Sequence, residues 1–221
     1  MARVLMVSKP IAPPWNDSSK NLVRDLSTHL TRHRATIMTQ RARDPELPRV
    51  AAEAIYGAHA GFAPALRDNA RALARLLVGP AHELWHFFFA PNPRSSSAAG
   101  LAARLRRART VQTVCSAPRV GVDLERVLFA DRTVVLSRHT EQQFLAGGVP
   151  RERLARIPPA VAPLEPRTAE QTAELRRQLD LPPDTPLIVY PGDLEFSGAA
   201  ERMLLAHAAL GTAAENSRSP G

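Results

Sequence analysis

At 221 residues and 44% apolar content the chain can bury a core, which excludes wholesale disorder. Its one cysteine, Cys115, excludes a disulfide framework and a thiolate zinc cluster, and no apolar run approaches the roughly 20 residues of a membrane-spanning helix. The net charge of +8 raises nucleic acid or anionic membrane as partners, but the basic residues are almost all arginine, spread from Arg3 to Arg218, and Lys9 and Lys20 are the only lysines. Aromatics are too few for base-stacking platforms, so nucleic acid is set aside, while peripheral contact with an anionic membrane through arginine-rich helix faces stays open. Met1-Ala-Arg-Val leads straight into a strand and not into a signal peptide, which reads as a cytoplasmic chain.

Arg3 to Ser8 is a continuous apolar run of the kind buried on both faces of a parallel sheet. Lys9 to Lys20 forms a loop, followed by a helix whose Leu22, Val23, Leu26 and Leu30 share a face. Ala35 to Thr39 is a second strand, and Arg41 to Gly61, lacking a period, reads as a long surface loop with a short helix near Ala51. Pro64 suits the first turn of a helix that ends at Val78. Glu83 to Phe89 is a buried strand, Pro91 to Ser97 a loop, Ala98 to Arg107 an alanine-rich helix, Thr110 to Cys115 a strand and Val122 to Phe129 a short helix.

Thr133 to Leu136 then begins a βαβ step. Ser137 caps a helix, Gly147 closes it in a left-handed conformation, and a short strand ends at Ile157 before Pro158-Pro159. Strands and helices alternating in this way predict an α/β, Rossmann-like, doubly wound parallel sheet. Residues 1–161 are expected as this domain and 162–167 as a proline-rich linker. Helices over Thr168 to Leu179 and Ser197 to Leu210, with a strand over Leu187 to Tyr190, read as the incomplete start of a second α/β domain, and 211–221 as a disordered tail.

Ligands of open α/β sheets sit beyond the carboxyl ends of the strands, which directs attention to the loops after residues 8, 89, 115 and 137. The first loop holds no glycine, so its backbone cannot approach a pyrophosphate in the Gly-x-Gly-x-x-Gly manner, and nicotinamide and flavin cofactors are rejected. It does place Asn16, Asp17, Ser18 and Ser19 at a helix N-terminus with Lys20 in the first turn, which reads as an anion site or as plain capping, although capping alone does not require Trp15, Asn16 and Lys20. His86 is either a functional group or a histidine bonded within the sheet, and Cys115 either a small buried residue or a reactive thiol. His29 and His33, four apart on one helix, have metal-compatible spacing but no evident third ligand. Arg104, Arg106, Arg107 and Arg109 form a run that is either a solvated face or a surface for anionic headgroups.

The order Asp131, apolar strand, Ser137, polar helix, Gly147, Pro150, Arg156-Ile157-Pro158-Pro159-Ala160-Val161 resembles the interdomain crossover of retaining glycosyltransferases of family 4, which have the GT-B fold. That family usually reads Ile-Pro-Asn-Gly-Val at its end, and the resemblance extends from Arg3 to about Leu210. It implies transfer of a sugar from a nucleotide-sugar, the co-substrate, to a sugar, lipid or small-molecule acceptor. His86 matches a histidine that the family often has at the end of this strand, which makes it the catalytic candidate. Thr113-Val114-Cys115, with Ser116 next, stands where the family carries Thr-x-His against the acceptor, and Asp17-Ser18-Ser19 replaces a Gly-Gly pair. Ser137 and Arg138 complete the candidate substrate contacts of the first domain. Gly192 and Glu195, in Tyr190-Pro-Gly-Asp-Leu-Glu195, resemble the donor-phosphate turn of the second. The arginine or lysine and glutamates that hold the donor diphosphate lie further along in the family, so this chain is expected to carry a truncated donor domain. The alternative is a non-catalytic binding or scaffolding protein of the same fold.

Overall fold

A computed structural model describes residues 1–13, 15, 17–41, 47, 50–57, 64–116, 121–160, 165–190 and 199–216. The chain divides into two compact units, 1–161 and 162–221.

Among the described residues the first unit is built on seven strands: β1 (Arg3–Ser8), β2 (Arg34–Thr39), β3 (Ala51–Ala54), β4 (Leu84–Phe88), β5 (Arg109–Val114), β6 (Arg132–Val135) and β7 (Leu154–Arg156). Every pairing is parallel, in the order β3-β2-β1-β4-β5-β6-β7. Because side chains alternate across a strand, the apolar run of β1 divides between two faces. Leu5 and Val7 join Trp85 and Phe87 beneath α2 (Leu66–Val78) and α3 (Pro93–Arg106). Val4 and Met6 join Ile37 and Phe88 against Val23 of α1 (Ser18–His29). A third cluster, with Val135, Phe144 and Leu154, holds α4 (Leu124–Val127) and α5 (Arg138–Ala146) to β6 and β7. Full burial of each large side chain, such as Trp85 or Phe87, is worth about 1.5–3 kcal/mol.

Several local expectations are corrected. Ala51–Ala54 is an edge strand, not a helix within a loop: it pairs with β2 from Thr36↔Ala51 to Thr39↔Ala54. Glu53 accepts from the Arg75 guanidinium of α2 (Nη2 to Oε1, 2.7 Å), and just beyond the strand the Tyr56 hydroxyl donates to the Ser8 carbonyl at 2.6 Å. Such tertiary bonds outweigh the helical preference of Ala-Ala-Glu-Ala. The third helix starts at Pro93 and not Ala98, because Asn92 caps it by accepting from the Ser95 amide at 2.9 Å and Pro93 needs no amide partner. The second begins at Leu66, two residues after Pro64. Gly147 has φ −82° and Gly148 takes the left-handed turn at φ +84°.

The βαβ step itself forms as expected, with β6 and β7 paired from Thr133↔Leu154 to Val135↔Arg156. Glu141 of α5 locks it, its Oε1 meeting Arg151 at 2.5 Å and its Oε2 meeting Arg156 at 2.9 Å. At the other end of the step, the Asp131 carboxylate accepts from the amide and hydroxyl of Thr110 at 2.7 and 3.0 Å, tying the entrance of β6 to β5.

In the second unit, α6 (Ala169–Gln178) carries a capping box between Thr168 and Gln171. The expected strand at Leu187–Tyr190 does not form: no ladder partner exists among the described residues, and Leu187, Ile188 and Val189 stay exposed. The last helix, α7 (Ala199–Asn216), runs past Leu210 through residues expected as tail. No helix among the described residues is long and apolar enough to cross a membrane.

Glu141→Gln keeps the shape but removes the charge shared by two arginines. Both partners are partly exposed, so the expected loss is about 1–3 kcal/mol of unfolding free energy, read as a lower urea midpoint with an unchanged slope.

Candidate functional site

The carboxyl ends of β1, β4, β5 and β6 lie along one edge, and the described candidates Asp17, Ser18, Lys20, Cys115, Ser116, Ser137 and Arg138 follow those ends, whereas His86 lies within β4. The loop leaving β1 is fastened from below: Tyr56 holds the Ser8 carbonyl, and the Thr39 hydroxyl donates to the Ile11 carbonyl at 2.7 Å. The loop ends at Asp17, in extended conformation at φ −119°, as the N-cap of α1.

Asp17 concentrates the polar contacts of this loop. Its Oδ1 accepts from the Ser19 amide (2.9 Å), the Ser19 hydroxyl (2.6 Å) and the Lys20 amide (3.2 Å), while Oδ2 is ion-paired with Lys9. The free amides that could attract an outside anion are thus met by a carboxylate of the chain itself, and Lys9 is neutralised by the same group. Burial works to raise the Asp17 pKa, but the bonds from Lys9, Ser19 and Lys20 outweigh it and hold the carboxyl below its usual value. Lys20 differs: its ammonium donates to the Ala12 carbonyl at 3.1 Å and has no carboxylate partner among the described residues. Nearby, the Arg24 guanidinium lies 4.7 Å over the Trp15 ring, and the Asn21 amide donates to the Trp15 carbonyl at 3.1 Å.

His86 sits mid-strand in β4, stacked on Phe88 with centroids 4.0 Å apart, its Nε2 hydrogen-bonded to the Thr113 hydroxyl at 2.7 Å. Burial pushes its pKa down to about 4, so at neutral pH it is an uncharged imidazole suited to hydrogen bonding, not to carrying a proton. Thr113 also links His86 to Cys115, whose Sγ lies 4.0 Å from the Thr113 carbonyl. Burial, reinforced by the negative charge of Asp17, pushes the thiol up to about 11, so the sulfur is protonated at neutral pH. The influence of both Asp17 and Lys9 on Cys115 places the ends of β1 and β5 in one electrostatic environment.

Ser116 is exposed just after Cys115. Ser137 caps α5, accepting from the Thr140 amide at 3.1 Å, and Arg138 is exposed at the first helical position. Ser18 opens α1 and is exposed. Asn16, Gly192 and Glu195 lie outside the described residues. The helix carrying His29 ends there, so His33 is not on it; His29 bonds the Asp25 carbonyl at 2.8 Å and His33 accepts from the Ala2 amide at 3.2 Å. Among the described residues no group of three or more His, Cys, Asp or Glu could hold a metal ion. Two residues central to this edge escaped the sequence reading: Thr113 as the link between His86 and Cys115, and Tyr56 as the anchor of the β1 loop. The first was legible as a polar position two before Cys115; the second lay in a stretch with no period.

No family model and no curated protein matches the chain. Solved structures do. The Anabaena protein Alr3699/HepE in complex with UDP-glucose superposes with a TM-score of 0.54 at 13% identity, over 81% of this chain and 50% of its own. The same protein with UDP and glucose gives 0.54 at 14% identity and the same coverage. A glycosyltransferase from Rickettsia africae gives 0.52 at 13% identity, over 83% of this chain and 50% of its own. The chain thus shares the α/β, Rossmann-like fold of these neighbours and spans about half their length.

Three outcomes are expected. Between pH 6.5 and about 4 the unfolded chain binds a proton at histidine that folded His86 does not, so stability falls as pH drops through that window, by on the order of 2–3 kcal/mol. His86→Gln should flatten the pH dependence of the urea midpoint there. Asp17 acts lower: its contribution is present above the unfolded value of 3.8 and is lost as pH falls through the depressed folded value. Cys115 should alkylate with iodoacetamide about a hundredfold more slowly than a small free thiol at neutral pH, because its thiolate fraction is that much smaller.

Proposed function

We propose that this chain is the Rossmann-like, acceptor-side part of a glycosyltransferase, and that the carboxyl edge receives a sugar acceptor beside a nucleotide-sugar donor. The observation that carries this reading is the convergence of Lys9, Asp17, Thr113 and Cys115 at the edge where open α/β sheets bind ligands, with His86 one step behind it in mid-strand and reached through the Thr113 hydroxyl. A paired lysine and carboxylate, a neutral imidazole and hydroxyls suit the dense donor and acceptor pattern of a sugar. They suit a diphosphate less well, because the Asp17 carboxylate meets the helix amides. Lys20, whose charge no described carboxylate offsets, is the group of this loop assigned to the donor phosphates. Ser18, Ser116, Ser137 and Arg138 flank the same edge as further substrate contacts, and Asn16, Gly192 and Glu195 are assigned to the donor side on the family resemblance alone. The fold likeness to a glycosyltransferase and to a protein in complex with UDP-glucose supports the class of donor; the sugar-transfer family and a retaining mechanism rest on the sequence resemblance.

A second reading, a sugar-binding protein without turnover, is favoured by one observation: neither His86 nor Cys115 is in a state to exchange a proton at neutral pH.

Titration calorimetry of the 221-residue chain with UDP, GDP and UDP-glucose tests the assignment. Lys20→Ala should weaken UDP-glucose binding about tenfold or more, whereas Asp17→Asn, which frees the Lys9 charge, should not weaken UDP binding but should lower the affinity gained from the sugar. No heat with any nucleotide, or equal loss in both variants for UDP, would contradict it. Release of UDP that depends on an added sugar acceptor separates the transferase from the binding protein.

A further inference from the structure

The edge opposite the candidate site carries a different chemistry. The strands β2, β1, β5 and β6 each open on an exposed arginine: Arg34, Arg3, Arg109 and Arg132. A parallel sheet puts all four first residues on one edge, and in the observed strand order the row from Arg34 to Arg132 spans about 19 Å. Arg3 is offset by Glu83, and Arg132 shares its corner with the Asp131 carboxylate, which is bonded to Thr110. Arg34 and Arg109 have no carboxylate partner among the described residues.

The last turn of α3 ends at the same edge, since one residue beyond Arg107 the chain enters β5. It adds Arg104 and Arg107, both exposed and without a described carboxylate partner, and α3 itself contains no acidic residue. Arg106 reaches sideways to the carbonyls of Leu77 and Gly79, bringing the end of α2 alongside. Three large apolar side chains stand out of this corner into solvent: Val78 is 83% exposed, Leu101 58% and Leu105 66%. Leu101 and Leu105 are four apart on α3, with Arg104 between them, so apolar and cationic groups share one helix face.

We propose that this corner, formed by the amino edge of the sheet and the ends of α2 and α3, docks on the surface of an anionic lipid bilayer. Arginines with no described carboxylate partner complement lipid phosphates, while exposed leucine and valine side chains between them enter the boundary of the headgroups. A nucleic acid would use the arginines but leave the apolar side chains in water, and this corner offers no described aromatic ring for stacking. The inference does not depend on the sugar-binding reading. It concerns the opposite edge, one strand length of roughly 20 Å away, and so leaves the candidate site facing water.

The test is flotation of the full chain with vesicles of phosphatidylcholine alone or mixed with phosphatidylglycerol, beside a filter assay with duplex DNA. The chain should float with the anionic vesicles only, and added salt should weaken that binding without abolishing it. A variant with Arg34→Gln, Arg104→Gln, Arg107→Gln and Arg109→Gln should lose at least about tenfold in vesicle partitioning, and Leu101→Ser with Leu105→Ser should lose affinity at unchanged charge. Circular dichroism checks that both variants are folded. Failure of the wild-type chain to float, equal binding to neutral vesicles, or indifference to the leucine change overturns the proposal. DNA retention that follows the arginines and ignores the leucines would also overturn it, assigning the edge to nucleic acid.

Discussion

Parallel strand polarity is the constraint from which the rest of the first unit follows. With all seven strands running one way, every carboxyl end meets at one edge and every amino end at the other. Residues remote in sequence, such as Lys9, Asp17 and Cys115, are gathered by that geometry without any local motif. The same geometry collects Arg3, Arg34, Arg109 and Arg132 at the far edge. Parallel pairing requires helical crossovers on both faces, and the apolar faces of α1, α2 and α3 supply the cover that strands buried on both sides need.

At the carboxyl edge, electrostatics decide what each group can be. Asp17 takes up two backbone amides and a lysine, so a place that resembles an anion site in sequence is already neutralised. Desolvation then fixes the protonation of its neighbours: His86 stays neutral and Cys115 stays a thiol. The edge is therefore rich in hydrogen-bonding groups but poor in mobile protons, a chemistry for holding hydroxyls in place.

Much of the sheet was legible because buried parallel strands are apolar runs, continuous in Val4 to Val7 and broken only by His86 in Trp85 to Phe88, and because Ser137 and the residues after it mark a βαβ step. What escaped was set by long-range contacts. Ala51–Ala54 has no strand-like pattern and is held as an edge by β2, Glu53 and Tyr56. Leu187 to Tyr190 has the pattern but no partner among the described residues. Asn92 could be seen as a cap only by giving its side-chain bond more weight than the serines after Pro93. For the site, the residue types were visible, but the pairing of Lys9 with Asp17 and of His86 with Thr113 depended on strand order, which composition does not encode.

Mapping amide chemical shifts of the labelled chain as UDP-glucose is added measures most directly where a nucleotide-sugar lands. The largest changes are expected at Lys9, Asp17, Ser19, Lys20 and Cys115, with the amino-edge residues Arg34 and Arg109 unmoved. Shifts confined to the amino edge, or none at any residue of the first unit, would contradict it.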